Sequence, residues 1–169
     1  MHFEIVHEFE IPLDALELAV VSPSLVDRLA PRVPNVERLA QKEHRFEDGV
    51  LERVWSYQAN IRIPAFAAPH VTREMCAWDE RSRYRLSAHQ SEWSIRPHVK
   101  EEWQKYFSAS GTYELVARAG GTTRRVVKGD LEVRVPRGLR QLAERMIVNE
   151  VKKTFDAEAA TLRDIATLV

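Results

Sequence analysis

The sequence predicts an α+β fold: a curved antiparallel sheet of about 6–7 strands wrapped around one long C-terminal helix, with two short helices after strand 1. Three observations predict it. Val126 to Val135 alternates as a strand and runs into Pro136-Arg137-Gly138, after which a helical pattern continues unbroken to about Leu168. A helix of roughly 30 residues would be about 45 Å long at about 1.5 Å per residue, longer than a small domain is wide, so it must lie across something large. Asp48-Gly49 between two apolar-patterned arms marks a long hairpin.

Taken in order, Phe3, Ile5, His7 and Phe9 alternate with Glu4, Val6, Glu8 and Glu10, which predicts a strand whose apolar face carries one polar member, His7. Pro12 to Val20 reads as a short helix with proline at an acceptable first position. Ser22-Pro23 caps a second short helix reaching about Leu29, stopped by Pro31 and Pro34. The hairpin arms are Val36 to Glu47 and Val50 to Ile61. On the second arm Leu51, Arg53, Trp55, Tyr57, Ala59 and Ile61 share a face. Ile63 to Pro69 is an apolar connector fenced by prolines. His70 to Trp78 predicts a strand, Asp79 to Ser82 a turn, and Arg83 to Gln90 another strand. Ser91 to Glu102, with Trp93, Pro97 and mixed charge, reads as an irregular or edge segment. Trp103 to Ala117 predicts a strand that turns at Gly120-Gly121 into the last one, where Leu131, Val133 and Val135 face one way. In the final helix Leu139, Leu142, Met146, Phe155, Ala159, Leu162 and Ala166 form an amphipathic stripe, broken mid-helix by Asn149-Glu150.

A chain of 169 residues without repeat or linker predicts one domain, 1–169, large enough for a substantial core. Lys and Arg number 25 and Asp and Glu 25, so the net charge is zero and the basic excess of a nucleic-acid binder is lacking. A lone Cys76 excludes an internal disulfide and suits a reducing compartment. With no leader-like start and no long apolar run, the expectation is a cytoplasmic protein. His44, His70, His89 and His98 have no metal-ligand spacing, and no phosphate-binding glycine loop or nucleophile elbow is present, so no cofactor and no metal are expected. Arg118, Arg124, Arg125, Lys128, Arg134 and Arg137 give the last hairpin a local basic excess, read mainly as a solvated outer sheet face.

The order of elements, with Val133-Arg134-Val135-Pro136-Arg137-Gly138 at the junction and Glu144 further along the helix, resembles the helix-grip fold of the START-like (SRPBCC) superfamily. The junction looks like that of an uncharacterised bacterial branch related to VASt and lipid-transfer domains. The resemblance implies a hydrophobic cavity between sheet and helix, and lipids, sterols or aromatic polyketides as ligand classes. Trp55, Tyr57, Tyr84, Phe107, Tyr113 and Met146 would line such a cavity, and the same aromatics equally suit a packed core. His7, Arg53 and Asn149 are polar residues on otherwise apolar faces. They could orient a ligand head group, or satisfy one another. Phe66, set among prolines, suits a loop at the cavity mouth that touches a membrane transiently. The reading is therefore a binder or carrier of a hydrophobic small molecule. An enzyme of the cyclase or dehydratase type, with His7 as acid or base, is the alternative. A filled-core interaction protein is the third possibility.

Overall fold

In a computed structural model, which describes residues 1–60, 76–134 and 137–168, the chain forms one seven-stranded antiparallel sheet and a long helix. Strand β1 (His2–Phe9) is followed by helices α1 (Leu13–Val21) and α2 (Leu25–Leu29), then a single 3-10 turn. Strands β2 (Val36–Glu47), β3 (Val50–Ala59), β4 (Ala77–Arg85) and β5 (Gln90–Pro97) follow. After one helical turn, α3 (Glu101–Gln104), come β6 (Phe107–Arg118), β7 (Thr122–Val133) and α4 (Arg137–Ala166). The sheet order is β1-β7-β6-β5-β4-β3-β2. Thus α1 and α2 carry the chain from one edge of the sheet to the other, and the remaining strands meander back to β1.

Alternation dictates the inner face. Leu51, Arg53, Trp55, Tyr57 and Ala59 of β3 are all buried, while the residues between them are only partly so. In the middle of the sheet Gly111 and Gly129 pair across β6 and β7. A Cβ built on Gly129 would come within 2.4 Å of Phe3, and one on Gly111 within 2.7 Å of Trp93. The glycines therefore let the two large rings lie down on the sheet where it curves around the helix. The C-terminal half of α4 buries Ala159, Leu162, Ile165 and Ala166, in one core with Leu16, Val20, Leu25 and Leu29 of α1 and α2.

Three local expectations are corrected. Asp79 to Ser82 is no turn: β4 runs straight through it, paired to β3 and β5. The reversal comes later, at Leu86–Ala88 with His89 in the left-handed region at φ 51°, so the strand expected over Arg83 to Gln90 ends at Arg85. Ser91 to Pro97 is a regular strand between β4 and β6, because Ser91 and Trp93 face the core while Glu92 and Ser94 face out. The strand expected from Trp103 begins at Phe107, after a helical turn. Phe66, with the rest of the apolar connector, lies outside the described residues.

Candidate functional site: a cavity between sheet and helix

A cavity of about 870 Å³ lies between the inner face of β3 to β6 and the middle of α4. The sheet side offers Tyr57, Trp78, Trp93 and Phe107, and the helix side offers Ile147, Val151, Thr154 and Phe155. The rings brace one another. Tyr57 and Trp78, opposite each other on β3 and β4, stack at 5.1 Å and 6°. Trp93 meets Phe155 edge-on at 6.0 Å, so sheet and helix touch at the cavity's inner end. Pro34, Asn35, Tyr106 and Met146 are exposed lining residues and form the rim. A second hollow, of about 620 Å³, lies on the outer face of the sheet. There Glu52 is held by Arg45 and lies 3.8 Å from Arg83.

The acid at the inner end is Glu80 on β4, which lines the cavity. Desolvation pushes its carboxyl up to about 7, with Glu158 adding to the rise, while Arg53 and the Tyr57 hydroxyl oppose it. Tyr57 donates to Glu80 Oε2 at 3.3 Å. Burial first, and then Glu80 and Glu158, hold the Tyr57 hydroxyl well above its ordinary value, so it remains a donor.

Behind this wall, Arg125 on β7 has no exposed side-chain surface. Its Nη1 donates to Glu158 Oε2 at 2.8 Å and its Nη2 to the Phe155 carbonyl at 2.7 Å. The rings of Phe9, Tyr113 and Phe155 surround the guanidinium at 5.6–5.9 Å. Nη2 also reaches His7 Nδ1 at 3.3 Å. Since arginine can only donate, Nδ1 accepts, and His7 Nε2 donates to Asp156 at 2.8 Å. Desolvation, then the Arg125 charge, lower the His7 pKa against the pull of Asp156, consistent with that neutral tautomer. The Arg53 guanidinium carbon lies over the Trp55 ring, 3.7 Å from its centroid, and Arg53 Nη2 is 3.7 Å from Glu158. Among the described residues, Arg53 Nη1, Arg125 Nε and Trp55 Nε1 are buried without hydrogen-bond partners. A further buried acid, Glu17 of α1, accepts from Tyr84 at 2.5 Å and lies 2.7 Å from His89 Nδ1.

The structure thus divides the residues singled out from sequence into groups. Tyr57, Phe107 and Met146 are on the cavity wall. Trp55, Tyr84 and Tyr113 are core residues behind it, and His7 and Arg53 belong to the Arg125–Glu158 network. Asn149 is exposed and off the wall, whereas its neighbour Glu150 is on it, held by Asn35 at 2.9 Å and Lys153 at 2.7 Å. Sequence reasoning missed Glu80, Arg125 and Glu158. Arg125 shares the parity of Val127, Leu131 and Val133, and Glu158 stands three residues after Phe155, so both were accessible to periodicity. Among the described residues, no group of three His, Cys, Asp or Glu side chains is arranged to hold a metal, and no helix is long and apolar enough to cross a membrane.

Solved structures share this architecture at low sequence identity. The protein TTHA0849 from Thermus thermophilus matches with a TM-score of 0.64 at 14% identity, over 96% of this chain and 97% of that one. The Zhui aromatase/cyclase from Streptomyces sp. R1128 matches with a TM-score of 0.64 at 15% identity, over 99% and 93%. Norcoclaurine synthase from Thalictrum flavum matches with a TM-score of 0.62 at 13% identity, over 95% and 84%. At these identities the likeness shows the helix-grip fold and nothing of the chemistry. No curated protein matches the chain. One family model, described as "Protein of unknown function (DUF2505)", matches residues 4–165, and the chain belongs to that family.

Proposed function

We propose that this member of the DUF2505 family binds a small hydrophobic molecule between its sheet and its C-terminal helix, as a carrier or sequestering protein. The observation that supports this reading is the cavity itself. At about 870 Å³ it falls within the range of ligand pockets, and its wall is built mostly of rings and aliphatic side chains. That volume also weighs against a filled-core interaction protein. Lipids and sterols are ligand classes of suitable character. Transient membrane contact through Phe66 belongs to the same reading, and Phe66→Asp should then slow transfer between vesicles without lowering the melting temperature.

The direct test uses the neutral fluorophore N-phenyl-1-naphthylamine. It should bind the purified chain with a blue-shifted emission, and Val151→Trp, which puts an indole into the cavity, should abolish binding while the protein stays folded. No binding by the wild type, or equal binding by the variant, would overturn the reading. Native mass spectrometry with solvent extraction would then identify any co-purifying molecule.

A second reading, an enzyme of the cyclase or dehydratase type, is favoured by one observation. Glu80, with a carboxyl near neutrality, lines the cavity beside a fixed phenol, which suits proton transfer to or from a bound molecule. His7 lies in the buried network behind the wall, so Glu80 is the better-placed acid or base. On this reading Glu80→Gln abolishes turnover of a converted ligand while leaving its binding intact.

A further inference from the structure

The cavity wall has a chemical bias that its size does not explain. Its described lining residues include the rings Tyr57, Trp78, Trp93, Tyr106, Phe107 and Phe155, and two acids, Glu80 and Glu150. None of the described lining residues is Lys, Arg or His. Aromatic faces carry negative electrostatic potential and attract cations, most strongly where water is excluded. A carboxylate among them adds to that attraction and repels an anion.

Among the described residues, Arg53 and Arg125 are buried nearby but off the wall, and of the two it is Arg53 whose charge bears on Glu80. Arg53 is stacked on Trp55 and Arg125 is locked to Glu158 and the Phe155 carbonyl, and neither lines the cavity. Glu150, nearer the rim, is already held by Lys153 and Asn35. Glu80 is different: among the described residues its one hydrogen bond is the long one from Tyr57, at 3.3 Å. A half-buried carboxyl with a single weak donor among the described residues, on the wall of an open volume, is the position where a ligand's charge would be felt most.

We propose that the ligand of this cavity is an amine: a protonated nitrogen seated against Glu80 and the Tyr57 hydroxyl, with its apolar body among the rings. The proposal rests on the reading that the cavity takes a ligand at all. It also makes binding pH-dependent. The groups facing Glu80 are Arg53 and Tyr57 from β3 and Glu158 from α4. Arg53 opposes a bound cation and Glu158 favours it. Desolvation pushes the Glu80 carboxyl up to about 7. A seated ammonium stabilises the ionised form, so binding expels a proton on the acid side of neutrality. Amine affinity therefore falls as pH drops through that range.

The test compares three indoles of nearly equal shape: tryptamine (cationic), tryptophol (neutral) and indole-3-propionate (anionic). Each is titrated into the full chain by calorimetry at about pH 8 and about pH 5.5, on either side of the carboxyl's range. At the higher pH tryptamine should bind about tenfold more tightly than tryptophol, with indole-3-propionate weakest. The tryptamine advantage over tryptophol should shrink severalfold at the lower pH and vanish in Glu80→Gln. Should that variant fail to fold, the pH series on the wild type decides. Indole-3-propionate binding as tightly as tryptamine would overturn the proposal, as would a tryptamine advantage that survives in Glu80→Gln. If tryptophol and N-phenyl-1-naphthylamine bind but charge makes no difference, only the amine proposal fails. If nothing binds, the cavity reading fails with it.

Discussion

Arg125 and Glu80 both stand on the inner face of the sheet under the same helix, and their surroundings treat them differently. Arg125 meets a carboxylate at 2.8 Å, a carbonyl at 2.7 Å and three aromatic rings, so its charge is answered by the protein. Glu80 accepts from one phenol at 3.3 Å among the described residues and opens onto the cavity. A buried ion answered from within holds the helix to the sheet. A half-buried carboxyl with one weak donor beside open volume is free to respond to what enters. Toward α1 and α2 the grip is closed structure, and toward the rim it is a site.

The sharpest way to break this comparison is to remove Arg125. Arg125→Met keeps much of the apolar volume but leaves Glu158 buried with only Arg53, at 3.7 Å. Deleting one partner of a buried pair costs about 3–5 kcal/mol, because the other charge stays desolvated. Urea unfolding should report a loss of that size. A loss under about 1 kcal/mol would mean the network does not hold the fold, and the two ends would no longer differ in kind.

The matching change at Glu80 should behave oppositely, and the sign can be worked out. The folded chain keeps the Glu80 proton to about 7, whereas the unfolded carboxyl gives it up near its ordinary 4.5. The stability this proton contributes is fully present below about 4.5 and is lost as pH rises through about 7. Glu80→Gln removes that loss. The stability of the variant relative to the wild type should therefore rise with pH across this window, by on the order of 3 kcal/mol at 1.36 kcal/mol per pKa unit. His7 pulls the other way, because its lowered pKa withdraws stability as pH falls below 6.5, but it is common to both proteins and cancels in the difference. Melting curves of the pair across pH check this, and parallel curves would remove the special status of Glu80.

The fold was legible from sequence because its parts obey their periods: β3 alternates cleanly, and the Asp48-Gly49 turn and the long helix carry standard signals. The site was less legible for a physical reason. Glu80 and Ser82 are polar residues on the inner face of β4, so Asp79-Glu80-Arg81-Ser82 has no alternation and imitates a turn. The reversal that follows, Leu86 to His89, contains neither glycine nor proline and gave no signal of its own. Arg125 was hidden by the charges around it: with the strand expected to start at Val126, it read as one of a basic run, although β7 starts at Thr122. Local rules fail where a polar group is placed inside deliberately, so gaps in the pattern and the site coincide.

The smallest effect is expected at the rim, where it separates stability from binding. Met146 is 63% exposed yet lines the cavity. Met146→Gln keeps length and helix propensity, so unfolding free energy should change by less than about 0.5 kcal/mol. The substitution nevertheless replaces apolar surface at the mouth by an amide that a hydrophobic ligand must desolvate. Affinity for N-phenyl-1-naphthylamine should fall about two- to threefold, in keeping with the loss of roughly 20–25 Å² of apolar contact. Unaltered affinity would move the entrance away from α4. A drop in stability in step with affinity would mean that the rim is part of the closed structure, and the division of the grip into two ends would fail there.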